Sequence, residues 1–246
     1  MVMRLLQLGR VPYTDALALQ HLLVEARYAG RIEDTLVLLE HPPVLTLGRN
    51  AQQGNVLLGE DELKARGIEV VETNRGGDVT YHGPGQLVGY PIVDLRGDLP
   101  GKKGPHLGPV DYVRLLEEVL IRTCGEFGVP AQRICGRTGV WTIAGGSVPE
   151  RKIAAIGVHV SRGITSHGFA LNVTTDLRDF AWIVPCGIRD RSVTSLEAEV
   201  GEGQCPSVGQ AADSTSRSFS RVFGRQMLAT SSVEELLGHR AEPVTV

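Results

Sequence analysis

Apolar positions recur along this chain at two spacings, one helical and one alternating. Thr14 and Asp15 open a helix in which Leu19, Leu22, Leu23 and Ala26 recur at helical spacing until Gly30. Two short β-like runs follow, Thr35-Leu36-Val37-Leu38-Leu39 and Val44-Leu45-Thr46-Leu47, and His41-Pro42-Pro43 between them enforces a turn or edge crossing. Asp61 to Arg66 predicts a short helix ending at Gly67, and Ile68 to Val71 a strand. Gln86 to Leu95 reads as a further strand, irregular or at an edge because it contains Pro91. Residues 97–109, rich in Gly, Pro and Lys, predict an exposed, mobile loop. The clearest helix comes next. Val113, Leu116, Leu120 and Phe127 line one face, Glu118 and Arg122 pair on another, and Gly128 ends it. Cys124 falls near the apolar face, which predicts a buried structural thiol.

Alternation dominates the next stretch, with strands over Gly139 to Ile143, Lys152 to Ser161 and Thr165 to Val173, and a turn at Gly145-Gly146-Ser147. Lys152 lies in phase with Ala154, Ile156, Val158 and Val160, so it shares an apolar face at the mouth of its strand. The pattern breaks at residues 201–206. A polar helix with Ala212, Thr215, Phe219 and Val222 in register follows, and Ser232-x-x-Glu235 matches a capping box. This predicts one main domain over residues 1–200 and a C-terminal extension over 201–246, packed on it or loosely attached.

Composition narrows the class. A net charge of −3 gives no whole-chain footprint for nucleic acid or anionic membrane. No apolar run is long enough to span a bilayer. Met1-Val2-Met3-Arg4-Leu5 lacks the parts of a signal peptide, so the cytoplasm is the expected address. The cysteines, Cys124, Cys135, Cys186 and Cys205, form no C-x-x-C pair, and the histidines show no metal-ligand spacing.

The densest chemistry lies in Arg75-Gly76-Gly77-Asp78-Val79-Thr80-Tyr81-His82-Gly83-Pro84-Gly85-Gln86. Four glycines and a proline within twelve residues exclude a helix interior and an ordinary strand, and predict two bends with polar groups between them. The stretch is neither a Walker loop nor a strand-to-helix dinucleotide fingerprint. His82 is the histidine best placed to touch a substrate, and His167 reads as a hydrogen-bonded anchor. Cys186 stands in Trp182-Ile183-Val184-Pro185-Cys186-Gly187, where an apolar run ends in a turn that can present a thiol. An unperturbed thiol, with a pKa of about 8.5, is only a few per cent ionised at neutral pH, so a nucleophilic Cys186 needs a cation. Lys152 is the natural one. Taken singly, Cys186 reads first as an inert, partly buried thiol and Lys152 as a solvated lysine, and neither is decisive alone.

Together, Arg75 to Gln86, Lys152-Ile153-Ala154-Ala155-Ile156-Gly157-Val158, Ser166-His167-Gly168-Phe169-Ala170-Leu171-Asn172-Val173 and Val184-Pro185-Cys186-Gly187-Ile188 resemble, in this order, the octanoyl-[acyl carrier protein]:protein octanoyltransferase family of protein lipoylation. The resemblance covers about residues 10–197. It implies an α+β fold, a mixed, largely antiparallel sheet with packed helices, as in the catalytic domains of lipoate and biotin protein ligases. It implies octanoyl (or lipoyl) transfer from acyl carrier protein, through a thioester on Cys186, to a lysine of lipoyl domains in 2-oxoacid dehydrogenase complexes and glycine cleavage H protein. Lys152 would lower the pKa of Cys186, and neither ATP nor metal is required. Arg75, Gly76, Gly77, Asp78, Val79, Thr80, Tyr81 and His82 would line the site, with Ala155, Ile156 and Gly157 and with Gly168, Phe169 and Ala170 forming the remainder. Three other readings compete: an ATP-dependent ligase on the same scaffold, a cysteine thioesterase, and a non-catalytic acyl-binding or carrier-docking protein.

Overall fold

Both periodicities become structure. The computed structural model describes residues 1–145, 149–183 and 192–238. Its strands are β1 (Val2–Arg10), β2 (Thr35–Glu40), β3 (Val44–Leu47), β4 (Glu69–Glu72), β5 (Val79–His82), β6 (Gln86–Ile92), β7 (Ala131–Ile134), β8 (Arg137–Thr142), β9 (Lys152–Ser161), β10 (Ile164–Asn172) and β11 (Gln226–Thr230). The α-helices are α1 (Tyr13–Tyr28), α2 (Glu60–Ala65), α3 (Pro109–Glu126), α4 (Leu196–Val200), α5 (Val208–Phe223) and α6 (Val233–Leu236). Ser232 caps this last helix, its hydroxyl accepting from the Glu235 N–H, while the Glu235 carboxylate accepts from Ser231 N (2.9 Å) instead of closing the expected capping box. No helix among the described residues is long and apolar enough to cross a membrane.

An eight-stranded sheet runs β11-β1-β2-β6-β10-β9-β8-β7, and a three-stranded sheet runs β4-β3-β5. The β1–β11, β1–β2 and β3–β4 pairs are parallel. The other six ladders are antiparallel. The fold is thus α+β with a mixed, largely antiparallel sheet. Alternation sends Leu36, Leu38, Leu87, Phe169 and Leu171 to one face of the large sheet, where Leu116 and Leu120 of α3 and Phe219 and Phe223 of α5 cover them. Val37, Leu39, Val88, Tyr90 and Ala170 point the other way, against Ala16 and Leu23 of α1. Fully burying each large side chain contributes about 1.5–3 kcal/mol.

Several sequence expectations are corrected. The β6 strand is not an edge: it lies between β2 and β10. Pro91 is tolerated there because the β6–β10 ladder stops at Gly89, paired with Phe169, so no ladder bond is asked of the proline nitrogen. The Thr165 hydroxyl bridges the gap, donating to Pro91 O (2.7 Å) and accepting from Val93 N (2.9 Å). Residues 97–109 are mostly exposed, as expected, but are anchored at two points by Leu99 and Leu107, both buried in the α3 core. Four residues of the glycine-rich stretch form the strand β5. The β1, β7 and β11 strands carry no alternation strong enough to announce them. Residues 208–230 pack on the core: Phe219 and Phe223 stack with centroids 4.7 Å apart, and β11 adds a strand beside β1.

Candidate functional site

The two sheets face each other across a cleft, and the glycine-rich stretch is the hinge between them. Its first bend sits on β9, where the Gly76 N–H donates to Val158 O (3.0 Å). That approach needs glycine at Gly157, where a Cβ would stand 2.6 Å from the Gly76 carbonyl oxygen. Arg75 reaches back under the bend, its Nη2 donating to Thr46 O (2.6 Å) and Thr46 Oγ1 (2.9 Å). Asp78 acts as a staple: its carboxylate accepts from Val79 N (2.7 Å), Gln52 N (3.2 Å) and the Asn55 amide.

Within β5, period-two alternation divides the predicted residues. Thr80 and His82 face the cleft. Val79 and Tyr81 face away, into a cluster with Leu45, Leu63 and Phe180. The Tyr81 hydroxyl donates to Asp179 Oδ2 (2.5 Å), and its ring meets Trp182 edge-on. Burial and that carboxylate push the tyrosine pKa up, and burial raises that of Asp179.

The cleft brings together Arg75, Gly76, Gly77, Thr80, His82, Ala155, Ile156, Gly157, Gly168, Phe169 and Ala170 from the sequence reading. It adds Tyr13, Val88, Tyr90 and His167. A second, narrower pocket, lined by Lys152, Gln86, Asn172, Phe180 and Val193, adjoins it across Thr80, Ala155 and Ala170. Lys152 is 8% exposed, with Nζ 4.9 Å from the centre of the Trp141 ring. A cation over a desolvated indole face gains up to about 2 kcal/mol. The Lys152 backbone pairs with the chain on the far side of the cysteine turn: its N–H donates to Ser192 O (3.0 Å), and its carbonyl accepts from Thr194 N (2.9 Å). Cys186 itself lies outside the described residues, as do Val184, Pro185 and Gly187.

A side-chain relay ties the cleft to the same segment. His82 Nδ1 donates to Gln86 Oε1 (2.7 Å), Gln86 Nε2 to Asn172 Oδ1 (2.9 Å), and Asn172 Nδ2 to Thr194 O (2.8 Å). Beneath it, His41 Nδ1 donates to Val11 O (2.7 Å) and its Nε2 accepts from the Tyr90 hydroxyl (2.7 Å). Burial lowers the pKa of His41 to about 4 and that of His82 to about 3, and raises that of Tyr13 to about 12. His167, held down to about 3 by burial and by Arg75, is neutral as well. The polar lining is therefore neutral histidine and tyrosine around the Arg75 cation. Such a site binds an apolar group with a few directed hydrogen bonds. Tyr13, Tyr90 and His41 escaped sequence reasoning because each is a lone aromatic. The available signal was Tyr13 immediately before a helix start and His41 before a double proline.

Residues 12–220 match the lipoyl protein ligase A/B catalytic-domain family. An octanoyltransferase of Acidobacterium capsulatum is 63% identical over 237 residues, covering 96% of each chain. Another, from Koribacter versatilis, is 52% identical over 236 residues, covering 96% of this chain and 90% of its own. The fold is similar to that of a bipartite lipoate protein ligase studied with its E2 lipoyl domain, from Thermoplasma acidophilum (TM-score 0.70, 18% identity, all of both chains). It is also similar to a lipoate-protein ligase A bound with ATP (TM-score 0.68, 20% identity, 96% and 92% of the chains). The chain belongs to the lipoyl protein ligase A/B catalytic-domain family and, within it, to the octanoyltransferases, which makes it an acyltransferase.

Proposed function

We propose that the protein moves an octanoyl (or lipoyl) group from acyl carrier protein to a lysine of a lipoyl domain, by way of a thioester on Cys186 and without ATP or metal. The observation that carries this reading is the placement of Lys152. A buried ammonium opens onto the narrow pocket that adjoins the apolar cleft, and its own backbone pairs with Ser192 and Thr194, just past the cysteine motif in sequence. In the first step the Cys186 thiolate attacks the carbonyl carbon of the donor thioester. The new C–S bond forms, the old one breaks, and the pantetheine sulfur leaves and takes up a proton. In the second step the neutral amine of the acceptor lysine attacks the acyl–Cys186 carbonyl. The C–N bond forms, Cys186 leaves as thiolate, and the amine gives up its proton.

Lys152 favours the thiolate in both steps by holding a positive charge in a water-poor site. A backbone N–H group near the Ala155–Ala170 junction would bind the carbonyl oxygen as negative charge develops, a contribution of about 3–4 kcal/mol. Thioester-to-amide transfer is downhill, so no activation by ATP is called for. The acceptors would be the lipoyl domains of 2-oxoacid dehydrogenase complexes and glycine cleavage H protein, in the cytoplasm.

The test is intact mass after incubation with octanoyl-acyl carrier protein, without ATP, for wild type and Cys186→Ser. A hydroxylamine-labile octanoyl adduct on wild type, discharged by added lipoyl domain and missing from the variant, is the expected result. Acylation that appears only with free octanoate and ATP would assign the chain the chemistry of a ligase instead. Rapid loss of the adduct without any acceptor would make it a thioesterase.

A further inference from the structure

Buried polar atoms in a folded protein find partners, and the cleft holds one that does not. His167 lies in β10 at φ +54°, a left-handed conformation unfavourable for a residue with a Cβ. Strand alternation would send its ring with Phe169 and Leu171 toward α3 and α5. The unusual φ turns it to the cleft side, where it meets Tyr90 edge-on (centroids 6.5 Å apart). Two bonds lock it there. The His167 N–H donates to Gln20 Oε1 (2.7 Å), and its Nε2–H donates to Asn74 Oδ1 (2.7 Å). That tautomer leaves a lone pair on Nδ1, which is buried and has no hydrogen-bond partner among the described residues. Because burial and Arg75 keep the ring neutral, Nδ1 stays an acceptor at neutral pH. The neighbouring polar groups are engaged, His41 with Tyr90 and His82 with Gln86.

The position of this acceptor along the cleft matches the end of an eight-carbon chain. The cleft and the narrower pocket meet at Ala155 and Ala170, and His167 is three residues farther along β10, about 10 Å at about 3.4 Å per residue. With C–C bonds of about 1.5 Å and angles near 111°, an extended octanoyl group measures about 9 Å from carbonyl carbon to terminal methyl. A carbonyl held at the junction, on the Lys152 side, places the last carbons beside His167.

We propose that His167 Nδ1 is a recognition point for the far end of the acyl chain, and that the cleft takes chains carrying a hydroxyl donor on their last carbon. The inference rests on the acyl-transfer reading above. A plain octanoyl tail leaves the acceptor unpaired, whereas a terminal O–H donates to Nδ1 and exchanges its lost water for a buried hydrogen bond. An apolar slot without such a partner rejects a hydroxyl that replaces a methyl by about a hundredfold.

The experiment compares acyl carrier protein thioesters of 8-hydroxyoctanoate and of its isostere nonanoate, with octanoate as control, as kcat/KM for transfer to a lipoyl domain by the full chain. Wild type is expected to use the hydroxylated chain within about threefold of nonanoate. A larger penalty overturns the proposal, and this comparison needs no variant to fold. His167→Asn, which tolerates the left-handed backbone, is expected to lower the ratio of hydroxylated to nonanoyl transfer by about fivefold or more. A smaller change in the ratio, with both substrates slowed together, would mean that His167 only anchors the Asn74 loop. Octanoate separates the two levels of argument: if wild type does not transfer octanoyl at all, the acyl-transfer reading falls and takes this one with it.

Discussion

Adding one methyl group at Gly157 tests the claim that the seam between β9 and the glycine bend sets the cleft. A Cβ there would stand 2.6 Å from the Gly76 carbonyl oxygen, and ordinary contact begins at 3.4 Å, so Gly157→Ala must open the seam by 0.8 Å, the difference between the two. The bond from Gly76 N to Val158 O, now 3.0 Å, would be stretched past hydrogen-bonding range. Losing it costs about 0.5–1.5 kcal/mol. The entropy gained in replacing glycine by alanine returns about 0.4–1 kcal/mol, so net destabilisation stays near or below about 1 kcal/mol. Transfer should suffer far more, because a misplacement of about 1 Å at a reacting centre costs on the order of a hundredfold. The expected loss in kcat/KM is about ten- to a hundredfold. Octanoylation of a lipoyl domain, followed by mass, gives the rate, and denaturant unfolding gives the stability. Gly125→Ala is the control: it lies in α3 with nothing within 4 Å of its built Cβ, and it should gain up to about 1 kcal/mol with unchanged activity. Activity of Gly157→Ala within about threefold of wild type would refute the reasoning, since misplacement of the seam is claimed to cost at least tenfold. So would a loss of stability large enough to account for the lost activity.

Four further outcomes are expected. His41, His82 and His167 are held at about 4, 3 and 3 in the native protein but titrate near 6.5 when unfolded. Between pH 6.5 and about 4 the unfolded chain therefore binds more protons than the native one, and stability is lost on acidification, by up to about 1.4 kcal/mol per pH unit for each histidine. A guanidinium midpoint that does not move between pH 7 and pH 5 would contradict this. Burial pushes the Cys124 thiol up to about 12, so peptide mapping after iodoacetamide treatment of the native protein at pH 8 should find Cys124 unmodified and the exposed Cys135 alkylated. Phe219→Ala removes a fully buried ring that stacks on Phe223 and Phe169, and denaturant unfolding should register a loss of about 3–5 kcal/mol. Trp141→Leu removes the indole face beneath Lys152 Nζ, so alkylation of Cys186 at pH 7 should slow several-fold and shift to higher pH, while Trp141→Phe restores much of the rate.

Where the chain obeys its periodicities, the sequence was sufficient. The β9 strand occupies the predicted residues, α3 ends beside Gly128, and Glu118 pairs with Arg122 at 2.8 Å as helical spacing requires. The glycine-rich stretch was legible as a special backbone, and alternation within β5 then explains why Thr80 and His82 reach the cleft while Val79 and Tyr81 do not. What stayed hidden is long-range. The β1 and β11 strands form the far edge of the sheet through a parallel pairing across more than two hundred residues, and no local pattern encodes a partner that distant. The most informative case concerns Pro91, which argued for a strand irregular or at an edge: the strand is central, and its pairing is irregular at the proline. It is permitted because β10 departs from regular pairing opposite it, at His167 with its positive φ and at Gly168, where a Cβ would stand 2.6 Å from the Pro91 ring. That same departure turns the His167 ring into the cleft. Local rules fail together where a strand is bent to present a side chain, which is where a binding site is to be expected. A proline that contradicts its strand, opposite a histidine–glycine pair in the next, therefore marks the cleft wall once the strand pairing is known.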